Sequence, residues 1–412
     1  MCIKFLFRYY ILRNALLLFA GISFTFNLFA CSWFSALPAA PAYTDVITGA
    51  ERIDQYLPLL ESRNVGVVAN HTSLIGETHL VDTLLSLGVN IKRIFTPEHG
   101  LRGTADAGER IYTNKDERTG LPLVSLYGDK RKPDDDDVAD LDIVVFDIQD
   151  VGVRFYTYIS TMHYVMEACA ENDVPFLVLD RPNPNGYYVD GPILDMEHRS
   201  FVGMHPVPVV HGMTVAEYAG MINGEGWLEG GIEADLHYVL CEGYDHNTLY
   251  RLPVRPSPNL PTQLSIYLYP SLCLFEGTIV SVGRGTEFPF MAFGHPRLLN
   301  HSFQFTPVSG PGAKNPPYLG QVVNGVDLRE FDERFVIDRK ELYLEWLIFA
   351  YNNTPREYEF FNGFFTLLIG NRTVQSMIES GAGVSAVMRS WEKDVAEFKK
   401  VRRQYLLYKD FE

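Results

Sequence analysis

Short apolar runs alternate with helical patterns from about residue 44 onward. The strand-like runs lie at 65–69, 91–95, 121–126, 142–148 and 175–179. Helical periodicity fills several of the intervals, notably 80–87 and 161–170. Buried strands that alternate with helices are typical of a parallel sheet with crossover helices, so we predict an α/β domain over residues 44–255. Thr214 and Glu217 have capping-box spacing, which predicts a further helix that runs through Met221.

The pattern changes beyond about Arg251. Prolines interrupt the chain at 253, 256, 258, 261 and 270, and helical periodicity returns only at 341–351 and in a long final helix at 384–405. Frequent chain breaks followed by helices indicate a different kind of unit from the regular first half. We therefore predict a second, smaller α+β domain over residues 256–412.

The first 40 residues have the pattern of an export signal. Lys4, Arg8 and Arg13 precede an apolar stretch at 15–30, and the segment contains no acidic residue. This arrangement is typical of a signal peptide, so residues 1–40 are predicted to be a leader of an exported bacterial protein. Cys31 follows Leu28-Phe29-Ala30, which resembles a lipoprotein cleavage box and predicts membrane contact only through a lipid on Cys31. Ordinary cleavage near Ala40 is the alternative, and the location is periplasmic or membrane-anchored accordingly.

The formal net charge of −16 changes the range of possible partners. Nucleic-acid binding depends on clustered Lys and Arg, so an acidic chain argues against a nucleic-acid partner. There is no Gly-x-Gly-x-x-Gly after the first strand and no phosphate-binding loop, which argues against a nucleotide cofactor. We predict neither a cofactor nor a bound metal.

Polar clusters follow three of the predicted strands, at 96–100, 147–158 and 180–184. Ligands bind beyond the carboxyl ends of the strands in open parallel sheets, so these clusters are expected to meet at one rim. Carboxylates, arginines and aromatic residues dominate them, and carbohydrate hydrolysis uses that combination. Structural alternatives remain open: Asp180 pairs with Arg181 to hold a turn, or Asp147 caps the helix after it.

Longer stretches within these clusters resemble a known family. They are Pro-Glu-His-Gly-Leu-Arg-Gly at 97–103, Asp-Ala-Gly-Glu at 106–109, Phe-Asp-Ile-Gln-Asp-Val-Gly-Val-Arg-Phe-Tyr-Thr-Tyr at 146–158 and Leu-Asp-Arg-Pro-Asn-Pro at 179–184. The similarity continues at 256–261, 274–278 and 283–286 and covers nearly everything after residue 44. In these motifs the chain resembles the NamZ-type exo-β-N-acetylmuramidases, long classed as a domain of unknown function.

The resemblance implies a Rossmann-like catalytic domain, a smaller C-terminal domain that completes a cleft, and a specific activity. That activity is release of N-acetylmuramic acid from the non-reducing end of peptidoglycan fragments, with muramic-acid-terminated saccharides as partners. It also implies that Glu98, in the Pro-Glu-His-Gly motif, is the principal catalytic carboxyl group. His99 is its local rival, and Asp150 is a further candidate.

Residues of the three clusters and of four further segments complete the predicted site. The candidate substrate-binding residues are Asp147, Gln149, Arg154, Tyr156, Tyr158, Asp180, Arg181, Asn183, His211, Asn259, Glu276 and Arg284. Arg154 and Arg284 are the candidates for the lactyl carboxylate of muramic acid, because Arg pairs with carboxylates in a bidentate manner. The alternative for Arg154 is a structural pair with Asp147 or Asp150.

Two other functions fit the same residues. Glu98, His99, Asp147, Asp150 and His211 supply the oxygen and nitrogen ligands of a metal-dependent hydrolase. A non-catalytic lipoprotein that captures cell-wall sugars also suits two domains with a cleft. Activity that survives chelation would exclude the metal-dependent hydrolase. Release of free sugar would exclude the non-catalytic binding protein.

Overall fold

The centre of the molecule is a sheet of parallel strands, which we describe from a computed structural model covering residues 41–98, 100–101 and 115–412. The elements of this half, in chain order, are α1 Ile53–Leu60, β1 Asn64–Ala69, β2 Leu74–Ile75, β3 Thr78–His79, α2 Leu80–Ser86, β4 Asn90–Thr96, β5 Leu123–Ser125, α3 Asp135–Val138, β6 Ile143–Asp147, α4 Tyr158–Glu171, β7 Phe176–Leu179, α5 Val215–Gly224 and β8 Leu236–Val239. Strands β2 and β3 pair separately as a small antiparallel hairpin.

The order of the strands in the sheet is β5-β4-β1-β6-β7-β8, and every pairing between neighbours is parallel. The chain first moves outward from β1 through β4 to β5, then returns to the other side of β1 and continues through β6, β7 and β8. The direction therefore reverses between β1 and β6, and ligands bind at the carboxyl ends of such strands. The predicted α/β sheet is confirmed.

The strand interiors are buried because the sheet packs on both faces. Val144 and Phe146 of β6 join one large apolar core, and Ile143 and Val145 of the same strand join a second core on the opposite face. Burial on both sides explains why the strands read as continuous apolar runs in the sequence. Strand β8 lies at the edge and has exposed residues at its centre, so it lacks that signal.

The capping box predicted before α5 is present. The Thr214 backbone N–H donates to Glu217 Oε2 at 2.9 Å, and Thr214 Oγ1 accepts from the Glu217 N–H at 3.4 Å. The helix starts at Val215 and ends at Gly224, so the prediction from two residues holds at the atomic level.

The second half contains a small antiparallel sheet and a series of short helices. Its elements are α6 Gln263–Leu272, β9 Ala292–His295, β10 Phe303–Phe305, β11 Val323–Asp327, α7 Glu333–Arg339, α8 Glu345–Asn353, α9 Gly363–Ile369, α10 Thr373–Glu379, α11 Val384–Arg389 and α12 Glu392–Arg402. The three strands are ordered β10-β11-β9 and are antiparallel. The predicted α+β character is confirmed, and Phe365 of α9 belongs to the same apolar core as Phe146 of the parallel sheet.

The prediction of one long final helix is wrong. Helix α11 ends at Arg389 and α12 begins at Glu392. Between them Trp391 is buried, and its indole N–H donates to Asp190 Oδ1 at 2.8 Å. Burying this large ring against a partner from the first half interrupts the helical periodicity that the sequence suggests.

None of the helices in the described part of the chain combines the length and apolarity that a membrane span requires. The predicted leader at 1–40, including Cys31, lies outside the described residues.

Candidate active site

A cavity of about 670 Å³ lies at the carboxyl end of the parallel sheet. The first half of the chain contributes Glu98, Tyr127, Asp129, Arg131, Tyr156, Tyr158, Ser200 and Phe201, and the second half contributes Asn259, Tyr269, Cys273, Glu276, Arg284, Phe290 and Leu368. Sites for small molecules usually have this size and a lining of aromatic residues with a few polar groups. The cavity is therefore the candidate active site.

Glu98 lines this cavity, as do the carboxyl groups of Asp129 and Glu276. It lies two residues beyond β4, after Pro97, and its side chain is half-buried. Burial raises the pKa of the Tyr158 phenol, and the charge of nearby Glu98 raises it further. Tyr158 thus keeps its proton beside Glu98, and its hydroxyl donates to the Pro256 carbonyl at 3.5 Å. His99, the rival candidate, lies outside the described residues, as do residues 102–114.

Tyr156 and Tyr158 form an aromatic wall of the cavity. Their rings meet edge to face with centroids 4.9 Å apart, and Tyr156 makes a similar contact with Tyr269 at 5.8 Å. The Tyr156 hydroxyl donates to the Pro256 carbonyl at 2.7 Å. Aromatic faces of this kind pack against sugar rings, and the contact with Tyr269 joins the two halves of the chain.

Glu276 and Arg284 form an ion pair on the wall contributed by the second half. Arg284 Nε donates to Glu276 Oε1 at 2.6 Å, and its guanidinium lies 5.2 Å from the centre of the Phe290 ring. Gly283 and Gly285, which flank Arg284, have φ values of 76° and 80°, a region that favours glycine. Asn259 also lines the cavity, and its Nδ2 donates to the Gly312 carbonyl at 2.8 Å.

The other predicted site residues lie behind these walls. Asp147 and Arg181 are both buried and form a bidentate pair, with Nε to Oδ1 at 2.5 Å and Nη2 to Oδ2 at 3.0 Å. Asp180 instead accepts from the Tyr408 hydroxyl at 2.6 Å. The suggested pairing of Asp180 with Arg181 is therefore wrong, because Arg181 has Asp147 as its partner.

Gln149, Asn183 and His211 hold backbone turns. Gln149 Nε2 donates to the Pro182 carbonyl at 2.7 Å, and Asn183 Nδ2 donates to the Met213 carbonyl at 2.9 Å. His211 Nδ1 accepts from the Met213 N–H at 3.2 Å, and burial lowers the pKa of the imidazole to about 3. The ring is thus neutral, and these three side chains satisfy backbone groups beneath the site.

Arg154 does not pair with Asp147 or Asp150, so that alternative is also wrong. The side chain is 1% exposed and donates to three backbone carbonyls, those of Pro192 at 2.9 Å, Val207 at 2.6 Å and Leu368 at 2.9 Å. Burial lowers the pKa of its guanidinium to about 9. The structure places Arg154 outside the cavity, where it ties the first half of the chain to α9.

Asp150 is buried and does not line the cavity. Its Oδ1 accepts from the Gly152 N–H at 2.7 Å, and its Oδ2 has no hydrogen-bond partner among the described residues. Burial raises the pKa of the carboxyl group to about 7. Its charge raises the pKa values of Tyr156 and Tyr158, which places it close behind the aromatic wall.

Several cavity residues were not among the predicted ones. Tyr127, Arg131, Ser200 and Phe201 come from loops that follow β5 and β7, and no strand-end motif marks them. Within the described part of the chain, no three His, Cys, Asp or Glu side chains are grouped so that they could hold a metal ion.

Two family models match the chain, one over residues 65–264 and one over residues 267–408. They are described as the N-terminal and C-terminal parts of the exo-beta-N-acetylmuramidase NamZ. The chain belongs to the NamZ family. Together the two models cover most of the sequence, so the predicted resemblance is confirmed.

Relatives of the NamZ family with similar sequences or structures extend over almost the whole chain. The peptidoglycan beta-N-acetylmuramidase NamZ of Bacillus subtilis (strain 168) is 39% identical over 386 residues, which is 88% of this chain and 91% of that protein. A crystal structure of a DUF1343 family protein from Bacteroides fragilis NCTC 9343 has a TM-score of 0.83 and 47% identity, covering 89% of this chain and 100% of that one. A second such structure from the same organism has a TM-score of 0.69 and 28% identity, covering 88% and 99%.

Proposed function

We propose that this NamZ-family protein is an exo-acting glycoside hydrolase that releases N-acetylmuramic acid from the non-reducing end of peptidoglycan fragments. One observation carries the proposal beyond family membership. Glu98, half-buried at the carboxyl end of β4, lines a cavity of sugar size together with the aromatic wall of Tyr156 and Tyr158. Acid-catalysed cleavage of a glycoside needs a carboxyl group as the proton donor, and aromatic ring faces supply apolar surface for packing against the sugar.

Glu98 protonates the oxygen that departs from the sugar. An alkoxide is a poor leaving group, and a positioned carboxylic acid lowers the barrier by supplying the proton as the bond breaks. Tyr158 stays protonated next to this carboxyl group, because burial and the nearby Glu98 raise the pKa of its phenol. Asn259 and the Glu276–Arg284 pair offer hydrogen bonds to sugar hydroxyls from the other side.

The direct test uses two isomeric disaccharides, one with N-acetylmuramic acid at the non-reducing end and one with N-acetylglucosamine there. The expected result is free N-acetylmuramic acid from the first disaccharide and no cleavage of the second. Binding without release of sugar would instead favour a capture protein. Loss of activity after exhaustive chelation, with recovery on addition of a divalent metal, would favour a metal-dependent hydrolase.

Export with a lipid anchor at Cys31 is a further part of the proposal. The basic and then apolar leader supports export, and Leu28-Phe29-Ala30-Cys31 supports lipidation. Cys31→Ser is expected to move the protein from the membrane fraction to the soluble fraction. A wild-type protein that is already soluble and begins near Ala40 would exclude the anchor and leave export in place.

A further inference from the structure

We propose that Arg131 recognises the lactyl carboxylate of N-acetylmuramic acid and thereby sets the preference for this sugar over N-acetylglucosamine. The two sugars differ in the lactyl group, whose carboxylate is an anion that a fixed guanidinium binds well. This inference rests on the proposed function and assigns one of its specificity-determining residues.

Arg131 is exposed at the rim of the cavity, and its guanidinium packs on an aromatic ring. Its guanidinium carbon is 4.6 Å from the centre of the Phe201 ring, and both residues line the cavity. Phe201 stacks in turn on Tyr164, with the planes 12° apart, and its carbonyl accepts from Ser160 Oγ at 2.8 Å. Stacking uses the face of the guanidinium and leaves the N–H donors at its edge for a carboxylate.

Arg131, Arg154 and Arg284 are the three candidates for binding the lactyl carboxylate, and they differ in the partners that their guanidinium groups already have. Arg284 has Glu276 as a partner at 2.6 Å, so an added carboxylate there would leave an excess negative charge. Arg154 directs its donors to backbone carbonyls outside the cavity. Arg131 makes no ion pair with any residue that the structure describes, although Asp129 and Glu98 also line the cavity. A substrate carboxylate therefore gains most beside Arg131.

A second observation comes from Ser200, on the same wall and next to Phe201. Ser200 is one of the residues that line the cavity, and its hydroxyl oxygen is buried with no hydrogen-bond partner among the described residues. Backbone hydrogen bonds with Gly203, at 2.9 and 3.0 Å, fix the position of this residue. A buried hydroxyl without a partner is costly, so a ligand oxygen at this place relieves the cost.

The test compares three 4-nitrophenyl β-glycosides: N-acetylmuramic acid, its lactyl primary amide, and N-acetylglucosamine. Arg131→Ala is expected to raise KM for the acid about 10- to 100-fold, the range for a hydrogen bond to a charged group, with little change in kcat. For the amide, variant and wild type are expected to give the same KM. Lys130→Ala is the matched control, because Lys130 pairs with Asp134 and Asp137 and does not line the cavity.

Equal losses on the acid and the amide, or no loss on the acid, would overturn the assignment of Arg131. A wild type that cleaves none of the three glycosides would instead contradict the proposed function. In that case calorimetry with free N-acetylmuramic acid decides the inference separately. Binding weakened at least tenfold by Arg131→Ala supports it, and unchanged binding or no binding to the wild type overturns it.

Discussion

The cavity wall and the buried polar layer behind it use similar residues for different purposes. On the wall, the side chains of Glu98 and Arg131 line the cavity. In the buried layer, Asp147 and Arg181 meet each other, and Arg154 meets backbone carbonyls. A charged side chain that is fully occupied by protein partners supports the structure, whereas one directed into a cavity is available to substrate. Perturbing the two layers should therefore affect different measurements.

The largest expected effect is on the wall. Glu98→Gln keeps the shape of the side chain and removes the proton that can be transferred. General acid catalysis contributes about 10²–10⁴-fold, so turnover of the muramic-acid-terminated disaccharide should fall by at least two orders of magnitude. Thermal denaturation should show an unchanged midpoint, because the side chain is only half-buried. A large loss of stability would indicate that Glu98 supports the fold.

A substitution in the buried layer should instead lower the stability of the protein. Asp147→Asn leaves the buried Arg181 guanidinium without its anionic partner, and breaking such a pair costs about 3–5 kcal/mol in the free energy of unfolding. Denaturant unfolding at neutral pH measures this cost. A cost below about 1 kcal/mol, as for an exposed pair, would show that the pair contributes little to the fold.

Asp150 also belongs to the buried layer, and its effect on the stability of the protein should depend on pH. Burial raises its folded-state pKa to about 7, above the ordinary 3.8, so the folded protein favours the neutral acid. The stabilising contribution of neutral Asp150 to the free energy of unfolding is fully present below about pH 4, and it is lost as the pH rises through 7. Asp150→Asn cannot ionise, so its stability relative to wild type should increase between pH 4 and 8, by up to about 4 kcal/mol. A stability difference that stays constant over this range would mean that Asp150 is ionised throughout.

The smallest expected effect concerns a residue remote from the wall. Thr214→Ala removes the side-chain cap of α5 and should lower the free energy of unfolding by about 1 kcal/mol, with kcat unchanged. Thr214→Ser retains the hydroxyl and serves as the control. A change in kcat at constant stability would indicate that α5 positions the site.

The sheet could be predicted from the sequence because burial on both faces leaves continuous apolar runs, as in β6. Edge strand β8 could not, since His237 and Tyr238 are exposed. The break near Trp391 depends on a partner, Asp190, that is remote in sequence. Local patterns thus predict elements, and long-range contacts decide where some of them end.

The site was predictable to a similar extent. Glu98 follows a strand that ends at the sheet rim, so its place near the cavity follows from topology. Asp150, Arg154 and Tyr156 are close in the sequence, yet only Tyr156 lines the cavity. The direction of each side chain within an irregular turn depends on packing that the sequence pattern does not contain. Arg131 was missed because its support, Phe201, comes from a distant loop.

The most direct test of Glu98 as the general acid varies the leaving group. A disaccharide needs a proton on the departing oxygen, whereas a 2,4-dinitrophenyl glycoside of N-acetylmuramic acid departs without one. Glu98→Gln should lose at least 100-fold in turnover of the disaccharide and remain within about tenfold of wild type on the dinitrophenyl glycoside. Retention of more than about a tenth of wild-type disaccharide turnover, or an equal loss on both substrates, would contradict the assignment.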